Sequence, residues 1–251
     1  MLFRSGGERL TTQLVKIKKL GKGYQFDFSE MKKFIRLCQK YGVKYFEHSH
    51  LFTQWGGKFC PKIIVEEKGE KSNAFGWEVA SDDERYKEFL TAYLTALQAF
   101  LREQEVWEKV YLHLTDEPHG EHVETYKQLS DFVKGLTKGM KVMDAISEKE
   151  VAAAMDIPVV VLNAKDLESF DEHKMLYYCV GVDGQGITNR YFYMPLQRTE
   201  ILGMQLYENR AKGFLHWGYN FYNTQFSKAV LNPYEVMEFQ GLNSNRELGT
   251  V

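Results

Sequence analysis

The sequence predicts an α/β fold: a (β/α)8 TIM-type barrel of which about the last six βα units are present. Short apolar strands alternate with helices from Gly42 onward, which demands parallel pairing because each crossover returns the chain to the same end of the sheet. Polar and aromatic residues gather where these strands run out, and the C-terminal strand ends are where a barrel builds its active site. Neither GxGxxG nor GxxxxGK[ST] occurs, which removes the phosphate loop expected of a doubly wound sheet; "DGQGITNR" is only a weak Gly-rich stretch.

From the N-terminus, "QLVKIKKLGKGYQFDF" alternates apolar and polar residues around Gly-Lys-Gly and predicts an exposed β-hairpin near residues 13–28. Ser29 is placed to cap a helix running to about Tyr41, with Met31, Phe34, Ile35 and Cys38 on one face. Strands are predicted at Lys44–His50, Val110–Asp116, Lys141–Ile146, Val159–Asn163, Met175–Val180 and Gly213–Tyr219. Helices are predicted near Asp82–Gln104, Glu121–Leu136, Glu148–Met155 and Asn189–Ala211. The first of these carries an apolar stripe at Phe89, Tyr93, Leu94, Leu97 and Leu101 with the helical period, which is packing and not chemistry.

The chain is thus divided into residues 1–28 (an N-terminal scar and hairpin), 29–235 (the partial barrel) and 236–251 (an irregular tail). "MLFRSGGERL" shares no pattern with the rest of the chain and "LFRS" matches translated adaptor sequence, so it is expected to be foreign, with the first two strands and any leader lying upstream. The tail is expected to be truncated as well, and a cytoplasmic location is the default.

At 251 residues and 44% hydrophobic content the chain can bury the core of one large domain or two small ones. A net charge of −2 with evenly mixed signs gives no field for nucleic acid or an anionic membrane surface. No apolar run reaches the ~18 residues that span a bilayer. Three scattered cysteines make neither a disulfide framework nor a CxxC metal site.

The stretch "KVYLHLTDEPHG" carries the sharpest motif, two adjacent acids at the end of an apolar strand. Alternation assigns Leu112 and Leu114 to the helix layer and His113, Thr115 and Glu117 to the barrel axis, while Pro118 fixes a turn that swings Asp116 toward the mouth. Two carboxylates at one mouth raise one pKa and provide a proton donor near neutral pH, as glycoside hydrolysis requires. The competing reading is that both acids cap the following helix.

In "FEHSHLFTQWGGKFCPK", Glu47, His48, His50, Gln54 and Trp55 follow another strand, and an aromatic ring beside hydrogen-bonding groups suits a sugar. His-x-His also chelates metals, so a metal-dependent barrel hydrolase using His48, His50 and Asp116 stands as an alternative, although later strand ends are poor in ligands. Those ends offer Asp144, Asn163, the Tyr177–Tyr178 pair and, in "GFLHWGYNFYNTQF", Trp217, Tyr219 and Asn220, the wall of a polar-ligand pocket. A sugar-binding relative without catalysis is the third alternative.

Together "SHLFTQWG", "VYLHLTDEP", "MDAIS", "YYC" and "GFLHWGYNFYN", in this order, resemble the catalytic domain of glycoside hydrolase family 123 and its domain-of-unknown-function relatives, over about Phe26 to Glu235. The resemblance implies a longer protein with an N-terminal β-sandwich, and a retaining exo-β-N-acetylgalactosaminidase acting on oligosaccharide or glycoconjugate glycans without cofactor or metal. It implies that Asp116 orients the substrate's 2-acetamido group and that Glu117 is the acid/base. The pocket residues expected from the clusters are His48, His50, Trp55, His113, Asp144, Tyr177, Trp217, Tyr219 and Asn220.

Overall fold

A computed structural model describes residues 12–54, 56–164, 166–177, 188, 195–216 and 232. The chain opens with the hairpin that its alternation predicts, β1 (Lys16–Leu20) and β2 (Gly23–Asp27), in antiparallel register. Its two-residue loop needs a positive φ, which Gly21 supplies at 61°. Helix α1 (Ser29–Lys40) follows, but Ser29 does not cap it. The helix begins at Ser29 itself, and the Asp27 carboxylate accepts the Ser29 N–H at 2.9 Å. Of its expected apolar face, Ile35 is buried and Phe34 is exposed.

The short β3 (Phe46–His48) leads to a second hairpin, β4 (Ile63–Glu67) and β5 (Glu70–Phe75), which the sequence pattern does not announce. Lys68 and Gly69 turn it with φ of 54° and 88°, a primed turn built on Lys-Gly where Asn-Gly is the usual signal. Parallel pairing of β4 on β1 joins both hairpins into a four-stranded sheet of order β2-β1-β4-β5. The first hairpin is therefore one half of a sheet.

Helix α2 (Glu84–Glu103) is capped by Asp83, whose carboxylate accepts the Arg85 N–H at 2.8 Å. All five predicted stripe residues are buried. After β6 (Val110–His113) come α3 (Val123–Leu136), β7 (Lys141–Ile146), α4 (Lys149–Ala152), β8 (Ile157–Val161) and β9 (Met175–Tyr177). The predicted helix over 189–211 is described from Pro195 on, as α5 (Leu196–Glu200) and α6 (Leu202–Glu208) interrupted at Ile201, before β10 (Phe214–Leu215).

All six predicted crossover strands pair in parallel, in the order β10-β9-β8-β7-β6-β3. The sheet is a curled half-barrel, the coarse form of the fold predicted. One face, with Leu112, Leu114, Val142, Ile146, Val160 and Leu176, packs into the same core as Leu94, Leu97, Tyr126 and Val133 of α2 and α3. The other carries a smaller cluster of Met143, Ala145, Val159, Val161 and Tyr177. Side-chain alternation along each strand separates the two. Among the described residues no helix is long and apolar enough to cross a membrane.

Candidate active site

The site grows from the point where two neighbouring strands part. β6 and β7 stay in register up to His113 opposite Met143. One step on, the Thr115 N–H and hydroxyl donate to Oδ2 of Asp144 at 2.9 and 3.0 Å. Oδ1 of the same carboxylate accepts the Ala145 N–H at 3.0 Å and lies 2.9 Å from Nε2 of His113. Asp144 is 0% exposed and meets four donors, which is what a buried carboxylate requires. This corrects its expected role: it does not line the mouth but fastens the end of β6.

The other ring nitrogen of His113, Nδ1, lies 2.5 Å from Oε1 of Glu47 on β3. Parallel register explains the meeting, since Glu47 pairs with Tyr111 and therefore shares a face with His113. Only the imidazolium can donate to both carboxylates, because each neutral tautomer would turn a lone pair on one of them. Burial alone would drive the proton off His113, yet Asp144 and Glu47 more than offset this and its pKa stands well above the ordinary value. For Glu47, burial pushes upward and the hydrogen bond and charge of His113 pull further down, leaving a lowered pKa. The His50 ring completes the cluster, edge-on to His113 with centroids 4.1 Å apart.

Asp116 and Glu117 sit half-buried in the bend after β6. Strand parity alone would send Asp116 away from His113. The bend overrides it: the ligand atoms of His113, Asp116 and Asp144 all lie within 4.8 Å of one another. The turn ahead of Pro118 thus brings Asp116 toward His113 and Asp144. Glu117 adopts φ of 48°, left-handed backbone that costs a non-glycine residue roughly 1–3 kcal/mol and is retained where surrounding structure enforces it.

Neighbouring loops hold this bend. The β3 ladder continues onto β6 through the Leu51 and Phe52 N–H groups, which donate to the His113 and Leu114 carbonyls at 3.1 and 2.8 Å. The Thr53 N–H donates to the Phe59 carbonyl and the Phe59 N–H to the Thr53 hydroxyl, closing the next loop, and inside it Gly56 and Gly57 have φ of 94° and 65°. A Cβ on Gly57 would stand 2.6 Å from Leu129 and 3.0 Å from Thr115. From the β7 side, Glu148 accepts the Gly120 N–H. Gly57→Ala is expected to lower stability by about 1–3 kcal/mol through strain and overpacking beside Thr115, read as a drop in denaturation midpoint.

His48 departs from its predicted role. It pairs with Leu112, which belongs to the helix layer, so its ring turns to α2: Nε2 lies 2.8 Å from the Tyr93 hydroxyl and Nδ1 2.6 Å from the Ser49 carbonyl. Burial lowers its pKa and keeps it neutral at pH 7. A cavity of about 200 Å³ adjoins it, lined mostly by apolar side chains such as Ile17, Ile35, Phe89 and Leu97 and also by Glu47, Ser49 and His50. Tyr177 is buried on the face away from the helices, in the smaller apolar cluster. Trp55, Trp217, Tyr219 and Asn220 lie outside the described residues. Glu47 is the member of the cluster absent from the expected pocket residues, although pairing β3 with β6 by face would have found it.

Among curated proteins of assigned function none matches the chain. Among solved structures it is similar to a family 123 glycoside hydrolase from Clostridium perfringens, whose description concerns glycolipid glycan hydrolysis, with a TM-score of 0.59 and 16% identity over 82% of this chain. The chain spans 38% of that protein's length. A family 2 glycosyl hydrolase from Bacteroides cellulosilyticus aligns over 86% of this chain and 32% of its own, with 12% identity and a TM-score of 0.44. The model of the glycoside hydrolase 123 catalytic domain matches residues 3–243. The chain belongs to glycoside hydrolase family 123.

Proposed function

We propose that this domain serves a retaining exo-glycosidase that removes terminal β-linked N-acetylgalactosamine by substrate-assisted catalysis. The observation that carries the reading is the geometry of two adjacent carboxylates, Asp116 turned in toward His113 and Asp144 and Glu117 set in left-handed backbone beside it. A retaining enzyme with its own nucleophile places two carboxyls about 5–5.5 Å apart across the anomeric carbon. Neighbours in one bend cannot easily flank that carbon from opposite faces. They can divide the work if the substrate's acetamide oxygen is the nucleophile.

In that division the Asp116 carboxylate accepts the acetamide N–H and stabilises the charge of the oxazolinium ring. Intramolecular attack gains an effective molarity on the order of 10⁵ M or more. Glu117 protonates the departing glycosidic oxygen and then takes a proton from the incoming water. His50 and His113, with Trp55, Tyr177, Trp217, Tyr219 and Asn220, are the proposed sugar-contacting set; Asp144 acts from behind. The aryl β-N-acetylgalactosaminide should release nitrophenol and the aryl β-galactoside none, and equal cleavage of both would sink acetamide assistance.

One observation supports the metal-dependent reading: ligand atoms of Glu47, His50 and His113, and of His113, Asp116 and Asp144, converge within 4.8 Å. His48 has no place in either group. A metal at either would displace a carboxylate from the doubly bonded His113, so this reading predicts bound metal in stoichiometric amount and inactivation by a chelator.

A further inference from the structure

We infer that Glu47 is a positioning residue of the reaction: from β3 it holds the His113 ring against Asp144, and through that relay fixes where Asp116 meets the substrate. The inference rests on the acetamide-assisted reading and extends it to a residue on a different strand from the reacting pair.

Three contacts carry it. Glu47 reaches Nδ1 of His113 at 2.5 Å, and Nε2 of the same ring reaches Asp144 at 2.9 Å, so one imidazole spans β3, β6 and β7. Asp144 spends its other oxygen on the Thr115 N–H and hydroxyl, the residue immediately before Asp116. The Asp116 carboxylate then lies within 4.8 Å of ligand atoms of both His113 and Asp144. A shift of the His113 ring is therefore passed to Asp116 through its neighbour's backbone and directly through space.

Charge makes the same connection. The titratable groups facing His113 are Glu47 and His50 from the β3 side, Asp144 from β7 and Asp116 from the bend after β6, with the buried Tyr126 phenol of α3 near Asp144. Three carboxylates crowd this point, and mutual repulsion would protonate one of them. The His113 imidazolium is the cation that faces Asp116 at this point, where the acetamide N–H is to be accepted. Without the Glu47 charge, His113 keeps its proton less firmly and its ring loses the partner that orients it toward Asp144 and Asp116. A histidine whose pKa is raised on folding contributes stability that is complete below its unfolded value and is lost as pH climbs through the folded one. The losses in Glu47→Gln should thus begin at lower pH than in the native protein.

The test compares Glu47→Gln, which keeps the shape and a hydrogen-bond acceptor, with Glu47→Asp, which keeps the charge. On the aryl β-N-acetylgalactosaminide, Glu47→Gln should lower kcat about 10- to 100-fold, the usual cost of removing an outer partner of a functional side chain, with KM little changed. The alkaline limb of its pH profile should move down, and Glu47→Asp should recover part of kcat. Unchanged kcat, or a loss confined to KM, would overturn the role. A second readout needs no turnover: ¹⁵N shifts of His113 at pH 8 should show two protonated ring nitrogens in the native protein and fewer in Glu47→Gln. A His113 ring neutral in the native protein, or unaffected by the substitution, overturns the relay. Absence of native activity on the acetamido sugar with the expected ¹⁵N pattern would count against the substrate assignment and for the relay.

Discussion

Glu117→Ala is expected to lower kcat on the aryl β-N-acetylgalactosaminide by about 10²- to 10⁴-fold, the range for loss of a general acid/base. Glycosides with poor leaving groups should suffer most, because they depend on protonation of the departing oxygen. A stability measurement on the same position separates chemistry from fold. Glu117 holds φ of 48°, where a Cβ is strained and glycine is not. Glu117→Gly should therefore unfold at a higher denaturant midpoint than Glu117→Ala, by about 1 kcal/mol, with both inactive. If the alanine variant is the more stable, the left-handed backbone stores no strain and Glu117 is not held there against a cost.

Asp116→Asn should lower kcat on acetamido sugars by about 10²- to 10³-fold, the scale for removing one preorganised electrostatic partner of a transition state. An asparagine keeps the size and can still accept an N–H, but it carries no charge to set against the oxazolinium ring. The variant should still unfold cooperatively, because the Thr115 and Asp144 bonds that fasten the bend remain in place. Unchanged turnover would refute the role of Asp116.

Parallel βα alternation, and with it the order of the six-stranded sheet, was legible in the sequence because each apolar strand is bounded by its own polar cluster. Which histidine faces the site was not legible from the His-x-His pattern, since the pair straddles a strand end where alternation breaks. The missing step was register: with Leu112 assigned to the helix layer, pairing β3 with β6 puts His48 beside Leu112 and Glu47 on the face of His113. Asp144 looked like a mouth residue because its neighbours in sequence end a strand. Only the parting of β6 and β7 after His113 shows that its carboxylate takes the place of a ladder acceptor for Thr115. The β4–β5 hairpin escaped because charged residues fill its solvent-facing positions.

The most direct test of the central claim, that the substrate supplies the nucleophile, is the rate of hydrolysis across aryl β-galactosaminides carrying acetyl, fluoroacetyl, difluoroacetyl and trifluoroacetyl groups on the 2-amine. Each fluorine withdraws electrons from the amide oxygen that would attack the anomeric carbon. Acetamide assistance predicts that kcat/KM falls steeply and in order along the series. A flat series would contradict it and return the nucleophile to the protein or to water.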